Sequence, residues 1–222
     1  MTKKLICIVG PTAVGKTAVG VQLAKKLNTV VLNADSRQFY KEMSIGTAKP
    51  TLDELEGVPH LMLDFLSIHQ NYTVSQFETD AIEILNQQFL KKDVIVLVGG
   101  SGLFVNALCF GLDEIPDIDE NIRSKIRNDY QLNGLKYCVD YLQSLHPLAC
   151  ENLDINNPHR VLRALEVLIQ FNKRIQDFQT KSSKKRNFDS VFIGLNLPRA
   201  ELYEKINRRV DIMMSKGLLD EV

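Results

Sequence analysis

Four stretches of the sequence carry side chains whose types and spacing could do chemistry. Gly10-Pro11-Thr12-Ala13-Val14-Gly15-Lys16-Thr17 has the pattern G-x-x-x-x-G-K-T. Its glycines let the backbone curl so that successive N–H groups face an anion. Lys16 adds a point charge, and Thr17 offers a hydroxyl to Mg2+. The chemistry is the cradling of a phosphorylated or pyrophosphorylated ligand. The second stretch, Asn33-Ala34-Asp35-Ser36-Arg37-Gln38, provides Asp35, a carboxylate that could hold metal or act as a base. Gly99-Gly100-Ser101-Gly102 brings a hydroxyl, and Arg208 and Arg209 bring positive charge. Adjacent helical positions diverge by about 100°, so at most one of these two arginines faces a site squarely.

These residues need a scaffold that gathers them. Leu5–Val9 is a continuous apolar run with β-branched members, bounded by Gly10-Pro11, which predicts a strand buried on both faces of a parallel sheet. Strands are likewise predicted over Thr29–Asn33, Asp93–Val98 and Phe192–Leu195. Helices are predicted over Thr17–Leu27, with Val19, Val21, Leu23, Ala24 and Leu27 toward the sheet, and over Val74–Leu90. The alternation gives an α/β fold: a P-loop NTPase-like parallel sheet flanked by helices, with right-handed crossovers. The C-terminal ends of such strands share one rim, which places Asp35 and Ser101 beside the cradle.

From about Pro116 the pattern is helical. Helices are expected at Asp119–Asn133, Gly134–Leu145 and Pro158–Leu168, with Pro158 in a first turn. The expected organisation is a core of residues 1–116 and 188–222 with an all-helical insertion at 117–187. Near its end Lys173, Arg174, Lys181, Lys184, Lys185 and Arg186 outnumber Asp177 and Asp189, giving a local charge of +4 in a polar stretch expected to be mobile. An amphipathic helix with Leu202, Ile206, Val210 and Met213 or Met214 on one face follows over Arg199–Val222, with a possible break at Gly217. The sequence stops where a further helix begins, which reads as a C-terminally shortened chain.

Composition limits the partners. The 222 residues carry 27 basic and 27 acidic side chains, so any polyanion must be held by a local patch, and 45% apolar content excludes disorder. No run approaches the ~20 apolar residues of a membrane span. Cys7, Cys109, Cys138 and Cys150 are scattered without metal-ligand spacing, which predicts four reduced thiols in a cytosolic, cytoplasmic protein.

Beyond the cradle and the Asp35 segment, the sequence contains Phe39-Tyr40, Ile45-Gly46-Thr47-Ala48-Lys49-Pro50, Gly99–Leu103, Asn157–Val167 and Leu202–Asp211. Together these segments resemble the tRNA dimethylallyltransferases, nearly end to end. The resemblance implies that Gly10, Pro11, Thr12, Ala13, Val14, Gly15, Lys16 and Thr17 hold the diphosphate of dimethylallyl diphosphate, with Mg2+ near Thr17. It implies Asp35 as the general base toward the exocyclic amine of the adenosine 3′ of the anticodon. Ser101, where the family usually has Thr, orients that amine, while Lys16 and Arg209 neutralise the leaving group. Asp35, Ser36, Arg37, Gln38 and Ser101 would contact the extruded base. Arg123, His159, Arg160, Val161, Leu162 and Arg163 would face the tRNA anticodon stem-loop, and a monomer is expected. The sequence departs from the family pattern at Leu61 and Phe104, lacks the zinc finger of eukaryotic members, and ends tens of residues early.

Other readings make different use of the same residues. The cradle spacing also marks ATP-binding proteins, so a P-loop small-molecule kinase would place ATP there and use Asp35 to activate a hydroxyl. Kinases and nucleotide hydrolases usually hold Mg2+ with an Asp ending a second apolar strand, and Leu97-Val98-Gly99-Gly100 has none. A prenyltransferase for free adenine nucleotides would leave the helical insertion without a purpose. A non-catalytic RNA-binding module would leave Asp35 and Ser101 without one.

Overall fold

A computed structural model describes residues 2–113, 115–179 and 183–222. Lys181, one of the cations in the basic stretch, lies outside them. Among the described residues five parallel strands form: β1 (Lys3–Val9), β2 (Val31–Asn33), β3 (His60–Leu61), β4 (Val94–Val98) and β5 (Phe188–Gly194). Their order is β3-β2-β4-β1-β5, with Cys7 beside Leu97 and Leu32 beside Leu97 in register. Parallel neighbours require crossovers, and these are supplied chiefly by α1 (Lys16–Leu27), α3 (Val74–Phe89) and α4 (Gly102–Phe110), with a single turn, α2 (Leu52–Leu55), before β3.

Both faces of the central strands are covered, which is why their sequences read as unbroken apolar runs. On one face Leu5, Cys7, Leu32, Ile95 and Leu97 pack with Phe77, Ala81 and Leu85 of α3 and with Val105 and Leu108 of α4. On the other, Ile8, Val31, Val96 and Val98 meet Val21 and Ala24 of α1. The expected stripe on α1 is thus narrower than its sequence suggests. Val19 and Leu27 are exposed, and Gly20 takes a buried place instead.

β5 begins at Phe188, earlier than the expected Phe192, because its first residues pair with Lys3 and Lys4 of β1. As an edge strand it leaves Val191, Phe192 and Ile193 exposed, with Phe192 stacked on Phe110. The chain then forms α7 (Arg199–Ser215), turns at Gly217 (φ +93°) and closes with the single turn α8 (Leu218–Glu221).

The structure divides into two units, residues 1–112 with 183–222, and residues 113–182. In the second, α5 (Glu120–Leu145) departs from helical geometry at Gly134 (φ +79°), where the sequence reading places the boundary between two helices. Its partner α6 (Pro158–Phe171) starts with Asn157 accepting a hydrogen bond from the Arg160 N–H and with Pro158 in the first turn. Ile126, Cys138, Leu142, Val161, Ala164 and Leu165 form this unit's own core.

In the first unit, the segments flanking the insertion converge on Glu78 of α3. Arg186 Nη2 donates to Glu78 Oε1 at 2.7 Å and to the Ala107 carbonyl at 2.7 Å. The Leu112 N–H donates to Glu78 Oε2 at 3.3 Å, and the Lys184 N–H to the Phe110 carbonyl at 2.7 Å. One buried carboxylate therefore fastens the outgoing and the returning chain. Beside it, Cys109 lies 3.6 Å from Cys7, a proximity that the scattered spacing of the thiols does not reveal.

Candidate active site

The cradle is built by β1 running into α1. Gly10 has φ +151°, and a Cβ there would lie 2.4 Å from the Leu195 carbonyl oxygen, so the close approach of the chain after β5 admits only glycine. Gly15, with φ +98°, precedes the first turn of α1 and offers no capping side chain, so the start of the helix carries no side-chain cap. Lys16 Nζ spans the loop, donating to the carbonyls of Gly10 (3.0 Å) and Pro11 (2.8 Å). Half-burial lowers the proton affinity of this ammonium, the charge of Asp35 opposes that shift, and the charge of Arg209 adds to it. Lys16, Asp35 and Arg209 therefore share one electrostatic neighbourhood.

Asp35 leaves the C-terminal end of β2, and Ser101 follows the C-terminal end of β4. The two ends are pressed together, because the Ala34 N–H donates to the Val98 carbonyl at 2.7 Å and a Cβ on Gly99 would lie 2.5 Å from Ala34 backbone atoms. Across this contact Ser101 Oγ accepts from the Ser36 N–H at 3.1 Å and lies 3.0 Å from Ser36 Oγ. Ser101 occupies the N-cap position of α4 without capping it, so its hydroxyl bonds Ser36 instead of the helix. Asp35 Oδ1 accepts from the Arg37 N–H at 3.1 Å, and a Cβ on Gly100 would stand 3.3 Å from Asp35 Oδ2.

Aromatic packing fixes both segments from beneath. Phe39, next to Gln38, is 1% exposed, and its ring centroid lies 5.3–5.8 Å from those of Phe65, Tyr72, Phe77 and Phe104. Phe104, three residues after Ser101, shares this cluster. Gln38 Nε2 donates to the carbonyls of Thr47 and Ala48, both at 3.2 Å. On α7, the half-buried residues Leu202, Ile206, Arg209 and Met213 follow one another at helical steps, whereas Arg208 is exposed. Arg209 Nη2 lies 3.5 Å from the Thr47 carbonyl.

The residues assigned to tRNA in the insertion divide by burial. His159 and Arg160 are exposed, and Arg163 is half-buried. Arg123 and Arg163 converge on Glu166, at 3.6 Å and 3.1 Å, with Arg123 also bonded to Glu120 at 2.8 Å. Val161 departs from the expectation: it is 0% exposed within the insertion core, and Leu162 packs against that core. Val161 is thus a packing residue, since a side chain that faces the core on a 3.6-residue helix cannot also face RNA.

The profile described as IPP transferase matches residues 38–222. The chain belongs to the IPP transferase family. It is 44% identical over 221 residues to the tRNA dimethylallyltransferase of Cytophaga hutchinsonii, covering 100% of this chain and 73% of that one. It is also 44% identical to tRNA dimethylallyltransferase 1 of Bacteroides thetaiotaomicron, covering 98% and 71%. The tRNA isopentenylpyrophosphate transferase of Bacillus halodurans superposes with a TM-score of 0.65 at 39% identity, over 99% of this chain and 68% of that structure. A eukaryotic dimethylallyltransferase acting on tRNA superposes with a TM-score of 0.79 at 27% identity, over 99% and 55%.

In this chain, sequence reading missed the acidic residues that hold others in place. Glu78 and Glu221 act over long sequence separations, and no local signal marks them. Glu166 could have been found as the carboxylate three residues after Arg163 on the same helix face.

Proposed function

We propose that this protein transfers a dimethylallyl group from dimethylallyl diphosphate to the exocyclic amine of the adenosine 3′ of the anticodon in tRNA. The cradle from Gly10 to Thr17 binds the diphosphate, and Lys16 and Arg209 neutralise the charge that grows on it as the C1–O bond breaks. The bonding pair leaves with diphosphate. The amine nitrogen forms the new bond to C1, and its proton passes to Asp35, so atoms and charge balance. An adenine amine is a weak nucleophile because its lone pair is delocalised. Orientation by Ser101 and proton removal by Asp35 therefore supply what the acceptor lacks. The target base must leave its stack to enter the crevice, at a cost of a few kcal/mol, which phosphate contacts from Arg123, His159, Arg160 and Arg163 offset.

Mg2+ fits this reading. Among the described residues no group of three or more His, Cys, Asp or Glu side chains could hold a metal by themselves. The Thr17 hydroxyl would help to hold such a cation, and the cation would supply charge neutralisation to the leaving group. The four free thiols accord with a cytoplasmic setting, and no helix among the described residues is long and apolar enough to cross a membrane.

The observation that carries the reading is the convergence of the anion cradle with the Asp35–Ser101 crevice, which Lys16, Asp35 and Arg209 share electrostatically. The kinase reading is not favoured, since β4 ends without a carboxylate and the relatives with high identity are tRNA dimethylallyltransferases. Incubation with Mg2+, anticodon stem-loop RNA and labelled dimethylallyl diphosphate should move label into RNA. Consumption of ATP on a small acceptor without prenylation would overturn the proposal.

A further inference from the structure

The segment Ile45-Gly46-Thr47-Ala48-Lys49-Pro50 has no part in the chemistry above, yet its backbone is organised around a single carboxylate. Glu221 Oε2 accepts from the N–H groups of Ser44 (2.8 Å) and Ile45 (2.6 Å), and Oε1 accepts from the Gly46 N–H (2.8 Å). Successive backbone N–H groups form a nest for an anion, and bonds to an ionised acceptor are roughly twice as strong as neutral ones. These backbone bonds, that of Gly46 foremost, hold the Glu221 carboxyl below the usual carboxylate range. Leu218 reaches the same turn: a Cβ on Gly46 would lie 3.1 Å from its Cδ1.

One residue beyond this nest, the Thr47 carbonyl faces both Gln38 Nε2 (3.2 Å) and Arg209 Nη2 (3.5 Å). Residues 44–48 thus connect the pair α7–α8 to the segment that carries Asp35. The connection matters because α7 has no buried residue, so apolar burial gives Arg209 little fixed support. The most heavily hydrogen-bonded side chain of α7 and α8 toward the rest of the unit is Glu221, at the far end.

We infer that Glu221 is a positioning residue: by latching onto the amides of Ser44, Ile45 and Gly46 it holds α7–α8 against the rim and keeps Arg209 beside the diphosphate cradle. The inference rests on the reading of that cradle as a diphosphate site.

The test measures the affinity of the full chain for inorganic pyrophosphate with Mg2+ by calorimetry, alongside amide hydrogen exchange. Glu221→Gln keeps the shape and removes the charge. It should weaken pyrophosphate about ten-fold, the scale of one charge-assisted contact, and speed exchange at Ser44, Ile45, Gly46 and across α7. Glu221→Asp should recover part of both effects. In an Arg209→Ala background Glu221→Gln should cost nothing further, whereas a general loss of structure would weaken binding in both backgrounds. Wild-type binding with a Glu221→Gln affinity within two-fold overturns the latch and leaves the diphosphate reading standing. A wild-type chain that binds no pyrophosphate overturns the diphosphate reading, and the latch falls with it.

Discussion

The contact between Gly99 and Ala34 makes the geometry of the site testable by one methyl group. In Gly99→Ala the new Cβ would lie 2.5 Å from the Ala34 carbonyl carbon and oxygen and 2.7 Å from the Ala34 Cβ, where ordinary contact begins near 3.4 Å. The obstacle is backbone, so the ends of β2 and β4 must part by about 0.9 Å. That displacement strains the 2.7 Å bond from the Ala34 N–H to the Val98 carbonyl and the 3.1 Å bond from the Ser36 N–H to Ser101 Oγ. Overpacking of this kind costs about 1–3 kcal/mol, and at about 2–4 °C per kcal/mol for a chain of this size the thermal midpoint should fall by roughly 2–12 °C. The protein stays folded. Misplacing catalytic groups by about 1 Å is expected to cost on the order of 100-fold in rate. Pyrophosphate affinity should stay within a few-fold, because residues 10–17 are untouched. The assay is single-turnover transfer of labelled dimethylallyl to an anticodon stem-loop, with pyrophosphate calorimetry beside it. Transfer within three-fold of wild type would refute the claim that this crossing sets the relation of Asp35 to Ser101. Loss of pyrophosphate binding in step with transfer would refute it equally.

Three further outcomes follow from the same geometry. Because burial lowers the proton affinity of Lys16, its ammonium should lose charge as pH rises through a value below the ordinary lysine range. Pyrophosphate affinity should fall over that interval, and binding there should take up protons, as seen by calorimetry in buffers of different ionisation enthalpy. Lys16→Ala should flatten the dependence, and an equal dependence in the variant would exclude Lys16 as its source. Glu78→Ala leaves Arg186 buried without its partner, at about 3–5 kcal/mol, so the thermal midpoint should drop by on the order of 10 °C. A loss under about 1 kcal/mol would show that Glu78 does not fasten the two chain segments. Arg163→Ala should reduce the slope of log affinity for stem-loop RNA against log salt by about 0.7–0.9. A slope equal to that of the wild type would remove Arg163 from the phosphate contacts.

What could be read in advance depended on how local its cause was. β1 and β4 were legible because burial on both faces writes an unbroken apolar run, and the loop from Gly10 to Thr17 because its pattern lies in eight consecutive residues. Gly134 could be seen to divide α5 because a glycine inside a helical pattern is a local event. β3 escaped because two residues cannot establish a period, and Val19 and Leu27 were misplaced because periodicity does not tell how wide a stripe the sheet will cover. The rule that parallel strands share a C-terminal rim brings Asp35 near Ser101, and the hydroxyl bond between Ser36 and Ser101 that joins the two segments spans 65 positions. No such rule pairs Glu221 with Ser44, 177 positions away, or Arg186 with Glu78, 108 away. The resemblance assigns His159 to Arg163 to tRNA as one run, whereas the direction of the Val161 side chain is fixed by the packing of α6 on α5.

The central claim is that Asp35 takes the proton from the acceptor amine while the neighbouring cradle releases diphosphate. The most direct measurement is the single-turnover rate of dimethylallyl transfer by Asp35→Asn at saturating stem-loop RNA. The account predicts a rate lower by about 10²–10⁴-fold, the range of general-base catalysis, with RNA affinity retained. A rate close to wild type would contradict it.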